Sequence, residues 1–114
     1  MHEAAITQGI IDTALAAIRE HAVTQTVRKV CVTVGVSQGL IPESMRMYFD
    51  LVKPGTALAD AELEITLTPM VARCEACNEK YELDAPILFC RRCGAPMMLV
   101  QGKELLVTAI EVDE

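Results

Sequence analysis

The sequence predicts an α+β chain: a three-stranded sheet covered by two helices, with a small cysteine-held module inserted before the last strand. Three observations carry this expectation. A helical apolar period runs from about Glu3 to Ala22, strand-like alternation follows at two later places with a third strand after Gly102, and two Cys-x-x-Cys pairs stand close together between the second and third strands.

In the first helix Ile6, Ile10, Ala14 and Ile18 recur every four residues, and Ile11 and Leu15 widen the stripe into a core-facing surface. Asp12, Arg19 and Glu20 fall on the other side, and Gly9 is a weak spot costing ~1 kcal/mol against alanine. From Val27 to Val36 the period changes. Val30, Val32, Val34 and Val36 alternate with Lys29, Cys31, Thr33 and Gly35, the spacing of a half-buried strand. Ser37-Gln38-Gly39 makes a turn. Pro42 suits the first position of a second helix, and Glu43 its positive end. This helix is expected to bury Met45, Tyr48 or Phe49, and Val52, and to end at Lys53-Pro54-Gly55. Leu63, Ile65 and Leu67 then alternate with Glu62, Glu64, Thr66 and Thr68 as a second strand. A third runs from Lys103 to Val112, after Gly102. Two strands alone are marginal, so the third is expected to pair with the first two.

The chain has 114 residues and a formal net charge of −6, with a hydrophobic content of 52% that suffices for a real core. No apolar stretch is long enough to span a bilayer, and Met1-His2-Glu3 lacks the basic start of a secretion signal. The expected location is a reducing cytoplasm, where paired cysteines read as metal ligands rather than disulfides. Nucleic acid is disfavoured as a partner, because phosphate binding calls for a basic face, and the one basic cluster is Arg91-Arg92 with Arg73 nearby.

Cys74-Glu75-Ala76-Cys77 and Cys90-Arg91-Arg92-Cys93 are separated by twelve residues. Two-residue gaps let both thiolates of a pair reach one ion at the ~2.3 Å that zinc requires, and two pairs complete a tetrahedron. Gly94 suits the tight turn after the second pair, and Lys80-Tyr81-Glu82-Leu83 a short hairpin arm. Four thiolates leave no open position, so this Zn(II) is expected to be structural, and the module zinc-ribbon-like; a rubredoxin-like iron centre and a redox dithiol are the alternatives. Little apolar material surrounds it, and metal binding would supply the folding energy, on the order of 10 kcal/mol. Cys31, the fifth cysteine, falls on the strand face opposite the valines and reads as a small strand residue, with a regulatory or ligand thiol as the alternative. His21, near the end of the first helix, reads as a capping or exposed residue, and Met97-Met98 as packing.

A free α-amino group has a pKa of ~7.7–8, so it can lose its proton to a metal near neutrality. The Met1 amine, the backbone nitrogen of His2 and its imidazole can then close fused chelate rings around Ni(II) or Cu(II), which favour such nitrogen ligands in a square plane. With only two histidines, neither near a plausible nucleophile, no catalytic constellation is present and the chain reads as a non-enzyme.

Taken together, the chain resembles the HypA/HybF-type hydrogenase maturation nickel metallochaperones. The resemblance is carried by the Met1-His2-Glu3 start, the Val-rich strand ending at Gly35, and Ile41-Pro42-Glu43-Ser44-Met45-Arg46 with the helix to Phe49. It continues through Gly55-Thr56, Ala61-Glu62-Leu63-Glu64-Ile65, the two Cys pairs, Gly102-Lys103-Glu104-Leu105 and Ile110-Glu111-Val112. It implies a nickel-binding α/β domain over residues 1–71 and 98–114, with a zinc domain over 72–97. It implies Ni(II) as transient cargo at Met1 and His2, with Glu3 beside it, and Zn(II) at Cys74, Cys77, Cys90 and Cys93. The implied partners are an accessory GTPase and the large-subunit precursor of [NiFe] hydrogenase, the protein itself being a monomer or weak homodimer. One departure stands out. Some relatives place a carboxylate after the first strand, whereas Gly39-Leu40-Ile41-Pro42 holds none before Glu43. The alternative reading is a zinc-ribbon module that binds protein or nucleic acid through Arg91 and Arg92, with an idle N-terminus.

Overall fold

The computed structural model describes residues 3–114. Its elements are α1 (Glu3–Glu20), β1 (Val27–Gly35), a 3₁₀ turn (Val36–Gln38), α2 (Pro42–Val52), β2 (Glu62–Thr68), β3 (Met70–Cys74), β4 (Lys80–Leu83), β5 (Met97–Gln101) and β6 (Leu105–Val112). The two helices, the three expected strands and the Lys80–Leu83 arm all form. The sequence reading missed β3 and β5. Both are short and lie where the composition changes around the cysteines.

Two three-stranded sheets result, in the orders β2-β1-β6 and β4-β3-β5. In the first, the last long strand lies beside β1, as the need for a partner required. In the second, β3 is central and antiparallel to both neighbours, with Ala72 opposite Tyr81 on β4 and Leu99 on β5. The chain divides into two compact units. One takes in the described residues through Val32 with Leu40–Thr66 and Leu106–Glu114, the other Thr33–Gly39 and Leu67–Leu105.

In the first unit burial follows the periodicities. On α1 it falls on Ile10, Ile11, Ala14 and Ile18, on α2 on Met45 and Phe49, and on β1 and β2 on Val30, Val32 and Leu63. Tyr48 is only half-buried because its hydroxyl donates to Gln8 Oε1 of α1 at 2.7 Å, so one aromatic both packs and ties the helices. Leu58 and Ala61, in the connection after α2, are also fully buried. Helix α2 starts as expected, with Pro42 at its first position and Ile41 extended before it.

Thr7 was not expected inside, yet it is 0% exposed and its Oγ1 has no hydrogen-bond partner among the described residues. A buried hydroxyl without a partner loses its water and gains nothing in return. Thr7→Val keeps the shape and removes the polar atom, and should raise stability by about 1 kcal/mol in thermal or urea unfolding. A destabilised variant would contradict this account of the position.

Candidate metal centre

The second unit is organised around its cysteines. Around them a buried cluster of Ala72, Cys74, Cys90 and Met97 forms, with Cys77, Tyr81, Leu83, Leu88 and Ala95 packed against it. Met97 is therefore core, as expected, while Met98 is exposed.

The two Cys-x-x-Cys segments fold into equivalent knuckles. In each, the residue after the second cysteine turns left-handed, Asn78 at φ 63° and Gly94 at φ 75°. Each of these donates its N–H to the carbonyl of the first cysteine, Asn78 to Cys74 at 3.0 Å and Gly94 to Cys90 at 2.8 Å. The first cysteine in turn donates to the carbonyl five residues on, Cys74 to Glu79 and Cys90 to Ala95, both at 2.8 Å. Gly94 was legible as a turn residue, and asparagine is the other residue type that visits this conformation readily.

The knuckles bring the four sulfurs into one group. Cys74 and Cys93 Sγ lie 3.5 Å apart, and Cys77 and Cys90 Sγ 3.8 Å. A tetrahedral Zn(II) with ~2.3 Å bonds needs sulfurs ~3.8 Å apart. The separations are those of a closed S₄ cage and far exceed a disulfide bond. The donor set therefore fits structural zinc, and Cys74, Cys77, Cys90 and Cys93 would hold it.

The surroundings favour the thiolate at Cys74 and Cys90, while at Cys77 and Cys93 the thiol is held up. The backbone N–H of Cys77 lowers the Cys74 pKa, its nitrogen 3.4 Å from the sulfur. At Cys90 burial works upward, but the N–H groups of Cys93 and Arg92 and the nearby Tyr81 hydroxyl outweigh it and bring the thiol to about 6. At Cys93 the N–H of Ala95 works downward, yet the Cys74 sulfur holds the thiol up at about 11. A divalent cation favours all four thiolates and displaces the remaining protons.

The basic cluster beside the site has partners inside the protein. The Arg91 guanidinium lies 4.9 Å from the Tyr81 ring centroid, Arg92 is 3.4 Å from Glu79 Oε1, and Arg73 Nη1 donates to Asn78 Oδ1 at 3.2 Å.

Of the residues expected at the chain start, Met1 and His2 lie outside the described residues. Glu3 is described: it is buried at the start of α1, and its carboxylate accepts the Ile41 N–H at 3.0 Å. The first turn of α1 is thereby tied to the residue that opens α2. Glu43 is exposed. His21 is exposed beyond the end of α1, beside a cavity of about 680 Å³ that Ala17, Ile18 and residues of β6 also line.

A second group of ligand-type side chains had not been anticipated. Cys31 on β1 is flanked by Glu64 on β2 and Glu111 on β6, and their sulfur and oxygen atoms lie within 4.8 Å of one another. Burial, and then the two carboxylates, push the Cys31 thiol up to about 11.

The family model described as "Hydrogenase/urease nickel incorporation, metallochaperone, hypA" matches residues 1–112. The chain belongs to the HypA family. The hydrogenase maturation factor HypA of Nostoc punctiforme is 36% identical over 115 residues, an alignment covering 100% of this chain and 97% of that protein. HypA of Chloroflexus aggregans is 36% identical over 113 residues, covering 97% and 98%. The solution structure of the Ni metallochaperone HypA from Helicobacter pylori matches with a TM-score of 0.67 at 18% identity, over 98% of this chain and 97% of that one. A further HypA solution structure gives 0.72 at 18% identity. At such identity the structural likeness concerns the fold, and it is the α+β fold expected from the sequence. The family is described as one of metallochaperones, and its relatives as maturation factors. No helix among the described residues is long and apolar enough to cross a membrane.

Proposed function

We propose that this chain binds Ni(II) at its amino terminus and delivers it to the large-subunit precursor of [NiFe] hydrogenase, working with an accessory GTPase in the cytoplasm. The observation that carries the reading is the family match, which begins at the first residue and so includes Met1-His2-Glu3. The Met1 amine, the His2 amide nitrogen and the His2 imidazole supply three nitrogen donors in consecutive chelate rings, which suit a square-planar d⁸ ion. Deprotonated amine and neutral imidazole are required, so protons compete with the metal and provide a route to its release.

Glu3 has a supporting role in this reading. Its carboxylate is engaged with the Ile41 amide at 3.0 Å, which anchors the residue directly after the chelate to α2 and leaves ligation to the nitrogens before it. Zinc has a different task. The cage of Cys74, Cys77, Cys90 and Cys93, within residues 72–97, holds the shape of the inserted domain and has no position for cargo.

Complementation tests the reading. In cells lacking the protein, the wild-type chain should restore [NiFe] hydrogenase activity, while His2→Ala, expressed to the same level, should restore less than a tenth of it. Equal restoration by both would remove the N-terminal chelate from the account.

A further inference from the structure

On the sheet face opposite Val30 and Val32, three strands bring one side chain each to a common point. Cys31 comes from β1, the central strand, Glu64 from β2 and Glu111 from β6. We propose that these three residues form a second metal site, separate from the four-cysteine cage and from the chain start, that takes a borderline divalent ion of the zinc type through one thiolate and two carboxylates.

The distances support ligation. Cys31 Sγ lies 3.5 Å from Glu64 Oε2 and 3.7 Å from Glu111 Oε2. In a tetrahedral site with Zn–S of ~2.3 Å and Zn–O of ~2.0–2.2 Å, the sulfur-to-oxygen edge is ~3.6 Å. Both edges are therefore already set to the dimensions of such a site.

The hydrogen-bond pattern leaves ligand atoms facing a common point. A thiol has one proton, so it donates to one carboxylate and turns sulfur lone pairs toward the other. The Lys29 ammonium neutralises Glu64, but through Oε1 at 3.2 Å, which leaves Oε2 facing the sulfur. This contact also orients the carboxylate, the service that a neighbouring group performs for metal ligands generally. The Glu111 carboxylate has only the thiol as its hydrogen-bond partner among the described residues. Cys31 as a residue is 9% exposed, whereas Glu64 and Glu111 on either side are exposed. A divalent ion binding here displaces the thiol proton to solvent and forms one metal–sulfur and two metal–oxygen bonds. Sulfur with oxygen ligands suits a borderline cation better than magnesium or calcium, and three protein ligands leave a tetrahedral ion one position for water or another donor.

The test uses untagged, zinc-loaded His2→Ala protein, in which the cage is filled and the N-terminal chelate is disabled. Added Co(II) should bind at one equivalent with a sulfur-to-cobalt charge-transfer absorption of single-thiolate intensity, while elemental analysis still finds one zinc per chain. Cys31→Ser should abolish the absorption. Glu111→Gln, an exposed and conservative change, should weaken Co(II) binding at least tenfold while leaving the zinc in place. No charge-transfer absorption in the His2→Ala protein, survival of the absorption in Cys31→Ser, or unchanged affinity in Glu111→Gln would each overturn the proposal and leave a hydrogen-bonded surface cluster only.

Discussion

Cys74→Ser is expected to empty the four-cysteine site and unfold the unit built around it. Two of the four buried residues in the cluster at the cysteines, Cys74 and Cys90, are themselves ligands, and the others are Ala72 and Met97. So small an apolar core cannot meet the conformational entropy of ordering the β4-β3-β5 sheet, and the ion must supply most of the difference, on the order of 10 kcal/mol for structural zinc. Cys74 also ends the central strand and anchors its knuckle through the Asn78 and Glu79 backbone bonds. Elemental analysis after dialysis against a moderate chelator should find one zinc per wild-type chain and none in the variant. Amide exchange should rise across β3, β4 and β5 while α1 and α2 stay protected. A variant that keeps its zinc, or loses it with those strands still protected, would show that the cage is not what orders this unit.

The next largest effect is expected at a residue with no side chain. A Cβ on Gly35 would stand 2.1 Å from both the carbonyl carbon and the oxygen of Gly102, and 2.4 Å from the Lys103 nitrogen. All three atoms are backbone, so no rotamer change can relieve the overlap. Gly102 is hemmed in as well. Its φ is +104°, and a Cβ there would meet Met70 Cα at 2.6 Å. Gly35 lets the end of β1 lie directly on the turn before β6, and Gly102 lets that turn pass close to Met70, with Gly35 N–H donating to Glu104 O at 2.7 Å and Ser37 N–H to Gly102 O at 2.8 Å. Gly35→Ala must break this approach, at a cost of about 3 kcal/mol or more. Gly9→Ala is the contrasting control. Its Cβ meets nothing within 4 Å, and helix propensity alone should stabilise the protein by roughly 0.5–1 kcal/mol. Urea unfolding of both variants measures the difference, and a Gly35→Ala protein as stable as wild type would refute the close approach.

What the sequence disclosed, and what it hid, follows from the range of the forces involved. Helices α1 and α2 and strands β1, β2 and β6 were legible because their apolar residues repeat at 3.6 or 2 within one segment. The cysteine cage was legible because its geometry is written in two short spacings. Strands β3 and β5 were not, since five residues each, with Ala72, Cys74 and Met97 facing inward, give too brief a pattern. Gly35 against Gly102 and Cys31 between Glu64 and Glu111 are contacts between distant segments, and no local period announces them. Thr7 shared a helical stripe with isoleucines and was passed over as polar. The nickel ligands were read from chemistry and resemblance at residues outside those described.

The central claim is that nickel and zinc are held by different parts of one chain, nickel by the nitrogens of its start and zinc by the sulfurs of its insertion. Metal analysis of the untagged wild type beside His2→Ala, each equilibrated with one equivalent of Ni(II), measures this most directly. The account predicts one tightly held zinc in both proteins and exchangeable nickel in the wild type alone. Equal nickel in the two proteins, or zinc lost along with the imidazole, would contradict it.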